Sequence, residues 1–186
     1  MFKLINNTVN SVPNHHNVFG NFGISRSFDQ LHKDLKECLD IVQPKVMVEI
    51  GFNAGHSATI FLEHLPELKL YAYDIALRNY TEPCGEALMK HYGERFVYET
   101  KDSHKMENIP ECDLLFIDGD HSYNGVKNDM NLVMKTNARY VLCDDMNQPD
   151  MLKAALEFPV KEIKKFNYKQ HKKGRVGTVI LFEIIR

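Results

Sequence analysis

Short apolar runs that end at or just before an acid recur along this chain, and most of them are separated by helical patterns. Val46–Ile50 carries Glu49, Leu68–Tyr73 leads to Asp74, Arg95–Glu99 precedes Asp102, Asp113–Ile117 leads to Asp118, and Tyr140–Cys143 leads to Asp144 and Asp145. Between them the apolar spacing becomes helical: Ala58, Phe61, Leu62 and Leu65; the stretch Cys84–Tyr92; Val126, Met130, Val133 and Met134 after Ser122; then Met151, Ala155 and Phe158. Strand and helix signals that alternate in this way predict a parallel sheet covered on both faces. The last two runs, Val160–Asn167 and Thr178–Ile185, have no helix between them. They are expected to add an antiparallel hairpin at one edge.

The expected fold is therefore α/β: a Rossmann-like, doubly wound, seven-stranded sheet, mostly parallel with an antiparallel C-terminal hairpin. At 186 residues the chain fits one domain with a full core. Residues 1–26, rich in Asn, Gly and His, lack clear periodicity and read as an irregular arm. Ser27 and Gln30 have capping-box spacing and open a helix that carries Phe28, Leu31, Leu35, Cys38, Leu39 and Val42. Residues 1–43 thus form an arm and helix that could cap the main domain, 44–186. The arm offers His15, His16, Phe19 and Phe22 for closing over a cleft.

A net charge of -2 gives no global pull toward nucleic acid or an acidic membrane. No apolar run approaches a membrane span, and the first residues lack the apolar core of a signal peptide. Cys38, Cys84, Cys112 and Cys143 lie far apart and form neither a zinc motif nor a disulfide framework. These features point to a cytoplasmic protein with reduced, buried thiols. Its expected partner is a small-molecule substrate, with a homodimer left open.

In doubly wound sheets, ligands bind beyond the carboxyl ends of the strands. Single acids after strands often only favour turns; a row of them on one edge points to a site. The sharpest motif is Val48-Glu49-Ile50-Gly51-Phe52-Asn53-Ala54-Gly55-His56-Ser57. Its two glycines permit a tight turn and close approach to a ligand, and the next helix aims its N-terminus there. It is not the dinucleotide pattern G-x-G-x-x-G. Asp74 is placed to accept hydrogen bonds from both hydroxyls of a ribose.

With E-x-G-x-x-x-G, a strand-final Asp, and Phe116-Ile117-Asp118-Gly119-Asp120-His121-Ser122-Tyr123, the chain resembles class I S-adenosylmethionine-dependent methyltransferases. The last segment is similar to a signature of methyltransferase family 24, related to the cation-dependent catechol and caffeoyl-CoA O-methyltransferases. The resemblance covers about Pro44 to Phe158. It implies that Gly51 and Gly55 line the methionine part of S-adenosylmethionine, with Glu49 near its amino group and Asn53 and Ser57 in the same turn. It also implies that Asp74 holds the ribose, that Ile75 touches the adenine, that Asp102 and Ser103 sit at the adenine edge, and that Asp118 faces the sulfonium.

The cation-dependent relatives hold magnesium through an Asp after strand four and an Asp-Asn pair after strand five. The matching residues are Asp118, Asp144 and Asp145, and the third departs from the pattern by being Asp. Clustered carboxylates repel unless protonated or bridged by a cation, which agrees with a hard-cation site. The alternative is that Asp145 only caps the next element. Where those relatives place a general-base lysine, this chain has His121, which titrates near neutrality. The implied reaction is methyl transfer to a small-molecule oxygen nucleophile. A nucleotide- or NAD-binding oxidoreductase and a non-catalytic cofactor-binding module stand as alternatives. The basic loop Lys169, His171, Lys172, Lys173 and Arg175, with Lys161, Lys164 and Lys165, is either a solvated turn or an attractor for an acidic substrate.

Overall fold

The computed structural model describes residues 2–13, 29–169 and 176–186. Its centre is a seven-stranded sheet: β1 (Val46–Ile50), β2 (Lys69–Asp74), β3 (Phe96–Thr100), β4 (Leu114–Ile117), β5 (Tyr140–Cys143), β6 (Val160–Lys169) and β7 (Val176–Ile184), in the order β3-β2-β1-β4-β5-β7-β6. The first five strands pair in parallel, and β7 runs antiparallel to both β5 and β6. Both the sheet and its edge hairpin therefore match the sequence expectation. The strand order reverses between β1 and β4, which makes their carboxyl ends the natural crevice.

Helices α1 (Lys3–Ser11), α2 (Asp29–Val42), α3 (His56–His64) and α4 (Thr81–Tyr92) share one apolar cluster. Helices α5 (Tyr123–Met134) and α6 (Pro149–Leu156) pack on the other face. The alternation of β4 explains the split: Leu114 and Phe116 face the first cluster, Leu115 and Ile117 the second. Phe61 is fully buried and meets Phe116 edge to face with ring centroids 5.4 Å apart.

The irregular arm expected at the N-terminus is corrected by α1. Its Asn, Thr and Val residues are weak helix formers, which hid the pattern. Packing supplies what propensity lacks: Ile5 and Val9, four apart, are buried at 1% exposure, and the helix lies against α4. The expected helix start at Ser27 and Phe28, the arm residues His15, His16, Phe19 and Phe22, the loop residues His171, Lys172, Lys173 and Arg175, and the side chain of Lys169 lie outside the described residues. All four cysteines are buried free thiols. Burial pushes Cys38, Cys84 and Cys112 up to about 12, and Cys143 upward as well. Among the described residues, no helix is long and apolar enough to cross a membrane.

Because Phe61 and Phe116 pin α3 to the sheet centre, Phe61→Ala is expected to cost about 3–5 kcal/mol of stability. The check is the midpoint of urea unfolding; a loss under about 1 kcal/mol would show that the site collapses to fill the gap.

Candidate functional site

The strand ends come together because the ladders continue past the last paired residues. Gly51 N–H donates to the Tyr73 carbonyl (2.9 Å), Asp118 N–H to Ile50 (2.8 Å), Lys101 N–H to Asp74 (2.8 Å) and Asp144 N–H to Ile117 (3.0 Å). Gly51, Asp74, Asp118 and Asp144 therefore lie along one edge in neighbouring strands. Gly51 has φ +99, and a Cβ there would stand 2.1 Å from the Asp118 carbonyl oxygen. Only glycine lets the turn after β1 approach the turn after β4 so closely.

The glycine turn is held from both sides. Glu49 is fully buried; one carboxylate oxygen accepts from the Ser57 hydroxyl, and the other, Oε2, has no partner. Burial pushes this carboxyl well above its ordinary range, with Ser57 opposing and the charges of Asp118 and Asp74 adding to the rise. Asn53, in the left-handed region at φ 52, donates its N–H to Asp74 Oδ2 (2.8 Å) and accepts the Tyr80 hydroxyl (2.6 Å). Asp74 Oδ1 takes the Ala76 N–H (2.8 Å). Each Asp74 oxygen keeps a second lone pair for a ligand. Ile75, 48% exposed, stands beside it as an apolar surface.

At the end of β3, Asp102 caps a short 3-10 turn, Ser103–Lys105, by accepting the His104 N–H (3.0 Å), and it pairs with Lys105 (3.2 Å). The Lys105 contact, then the cap, hold its carboxyl below the usual range. Ser103 is buried and its carbonyl accepts Asn128 Nδ2 (2.9 Å). Next to it in α5 lies Asp129, with no exposure; Oδ1 accepts from Asn128 (3.2 Å) and Oδ2 has no partner. That orphan oxygen would lie 3.6 Å from a Cβ on Gly119, beneath the turn after β4. Sequence reasoning passed over Asp129, because a lone Asp inside a helical pattern looks like a solvated face.

The acids after β4 and β5 are arranged around His121. Its Nδ1 lies 2.9 Å from Asp145 Oδ2 and its Nε2 3.4 Å from Asp118 Oδ1. The hydrogen bond to Asp118, then that to Asp145, push the ring up to about 11 against the effect of burial. The ring is thus held as a cation at neutral pH, with both nitrogens engaged, rather than as the free base its ordinary titration range suggests. Burial raises Asp118 while His121 pulls it down. Asp144 is buried and faces elsewhere: it accepts the Asp145 N–H (2.7 Å) and the Tyr168 hydroxyl (3.0 and 3.3 Å).

Among the described residues, no group of three or more His, Cys, Asp or Glu is arranged to hold a metal ion. The reason is visible in the contacts. An imidazole stands between Asp118 and Asp145, and the Asp144 oxygens are taken by a phenol and a backbone N–H. As they stand, these donors do not fit the divalent cation that the resemblance implied for Asp118, Asp144 and Asp145. Tyr168, like Asp129, is a residue that the sequence reading missed; the available signal was Gly177, a glycine inside a strand pattern.

Residues 48–146 match a protein family described as "Methyltransferase domain". No curated protein matches the sequence. Among solved structures, the chain is similar to the O-methyltransferase from Bacillus cereus in complex with SAH, at 15% identity and a TM-score of 0.69, over 97% of this chain and 90% of that one. It is similar to the O-methyltransferase TomG from Streptomyces achromogenes, involved in tomaymycin synthesis and bound to SAM, at 13% identity and a TM-score of 0.67, over 98% of this chain and 90% of that one. It is also similar to the N-methyltransferase NodS from Bradyrhizobium japonicum WM9, at 12% identity and a TM-score of 0.68, over 84% and 95%.

Burial raises the Asp129 carboxyl from its ordinary range up to about 6. Between the unfolded value of about 3.9 and that value, the native state binds the extra proton. The stability this group contributes is therefore full below pH about 4 and lost as pH rises through about 6. Asp129→Asn is expected to remove that loss. The variant's melting temperature should rise relative to the parent between pH 4 and 7, by the equivalent of up to about 3 kcal/mol. Parallel melting curves across that range would contradict it.

Proposed function

We propose that this chain, which belongs to the methyltransferase-domain family, transfers a methyl group from S-adenosylmethionine to an oxygen of a small-molecule acceptor. The observation that carries the reading is the turn after β1. A buried carboxylate oxygen, Glu49 Oε2, lies unpartnered behind a left-handed Gly51, with Asp74 fixed across the turn by two backbone N–H groups. An ammonium and a ribose diol are the groups such oxygens accept from. The SAH of the Bacillus cereus structure and the SAM of the Streptomyces achromogenes structure both carry these two groups.

In this reading Glu49, Gly51, Asn53, Gly55 and Ser57 hold the methionine end. Asp74 holds the ribose, Ile75 covers the adenine face, and Asp102 and Ser103 border its edge. Asp118 lies where the acceptor meets the cofactor. When bound, the cofactor supplies an electrophilic methyl on a sulfonium, so the protein's task is positioning more than covalent chemistry. His121 is already bonded through both nitrogens, so its part is to hold the Asp118 and Asp145 carboxylates in place. The partly exposed Asp118 carboxylate is then the group presented to the acceptor. No step is assigned to a divalent cation.

The test is calorimetric titration of the folded protein with S-adenosylmethionine and S-adenosylhomocysteine, in magnesium and again in EDTA. Micromolar binding, equal in both, is expected. No binding of either compound would sink the reading, while a saturable magnesium effect would mean that His121 swings aside for a cation. Asp74→Asn should weaken S-adenosylhomocysteine by about tenfold to a hundredfold, as loss of charge-assisted hydrogen bonds requires. Unchanged affinity in that variant would remove Asp74 from the ribose site.

A further inference from the structure

The β6–β7 pairing sets Tyr168 opposite Gly177. A Cβ on Gly177 would lie 2.2 Å from the Tyr168 ring and 2.4 Å from its hydroxyl oxygen. The ring therefore lies across the bare backbone of β7. Its hydroxyl reaches past that strand to the acid that ends β5, Asp144, at 3.0 Å. Tyr168 is 3% exposed and Asp144 8%. A phenylalanine would fill the same apolar space, so packing alone does not call for the hydroxyl.

The contact continues inward. Asp144 Oδ1 also accepts the Asp145 N–H at 2.7 Å, in a turn where Asp145 sits in the left-handed region at φ 56. That turn aims Asp145 Oδ2 at His121 Nδ1, 2.9 Å away, and His121 Nε2 at Asp118, 3.4 Å away. An unbroken series of polar contacts thus runs from the edge hairpin, through both acids of β5, to the acid of β4. Left-handed backbone at a non-glycine residue persists where its surroundings over-determine it; here the Asp144 carboxylate anchored by Tyr168 acts beside the Gln148 N–H on the Asp145 carbonyl (3.0 Å) and the Met146 N–H on the Thr178 carbonyl (2.9 Å).

We infer that Tyr168 is a positioning residue for methyl transfer: its hydroxyl, passing over Gly177, fixes the Asp144–Asp145 turn and through it the orientation of His121 against Asp118. This rests on the methyl-transfer reading above. It adds that the C-terminal hairpin helps build the acceptor side of the site, and that Gly177 is needed for the ring to cross.

The experiment compares wild type with Tyr168→Phe at one fixed pH. It follows the His121 ring signals by carbon- and nitrogen-edited NMR, assigned by their loss in His121→Gln. S-adenosylhomocysteine affinity and melting temperature are measured on the same samples. In folded Tyr168→Phe, the His121 ring resonances are expected to shift or split, while S-adenosylhomocysteine affinity stays within about twofold of wild type. His121 signals that superimpose on those of wild type would overturn the proposal. Gly177→Ala keeps the hydroxyl but pushes the ring off its path, and it should perturb His121 in the same way; if Tyr168→Phe does not fold, the Ala variant decides. Failure of wild type to bind S-adenosylhomocysteine counts against the function, whereas an undisturbed His121 counts only against the role of Tyr168.

Discussion

The crevice depends on how closely the backbone after β1 can approach the backbone after β4. The two strands are neighbours at the point where the sheet order reverses, so their loops leave in opposite directions and open a cleft. The two turns meet closely because residue 51 has no side chain and can take φ +99 beside the Asp118 carbonyl. With that contact in place, Glu49 is drawn fully inside and its free oxygen is kept from water. The Asn53 N–H reaches Asp74 from the same turn. Moving the turn by a side chain's width would separate all three groups.

Charge on the two sides of the crevice is handled differently. On the β1–β2 side, the acids are held by single short contacts: the Ser57 hydroxyl on one oxygen of Glu49, with the other left unpartnered, and a backbone N–H on each oxygen of Asp74. On the β4–β5 side, carboxylates face each other and their repulsion is relieved by the cationic ring of His121 between two of them and by the phenol of Tyr168 on the third. The first side is built from β1, β2 and the turns that follow them, all between Glu49 and Ala76. The second draws on β4, β5 and the distant hairpin, so it is the side that depends on the whole sheet being formed.

This difference explains what could be read from the sequence. The strand runs, the acids at their ends and the glycine turn are local patterns, and each landed within a residue or two of its expected place, as Val46–Ile50 and Tyr140–Cys143 did. Ser122 was legible as a helix start and does cap α5 by accepting the Gly125 N–H. Helix α1 was not legible, because its stability comes from Ile5 and Val9 meeting α4 rather than from its own residues. The metal expectation grouped Asp118 and Asp144 with Asp145, the one that departs from the pattern, and no spacing rule announces that Tyr168, 24 residues on, takes up Asp144. Asp129 was missed for the same reason: its burial is a fact of how α5 seats under the turn after β4, not of its neighbours in sequence.

The buried cysteines have a practical consequence. A thiol pushed up to about 12 carries only about one part in 10⁵ of thiolate at pH 7, and thiolate is the form that alkylating reagents attack. The native fold therefore silences its own sulfur chemistry. A single cysteine placed at an exposed position such as Leu77, 78% accessible and three residues after Asp74, would react alone, so a fluorophore could report on the occupied and empty crevice without first stripping the protein of its natural thiols.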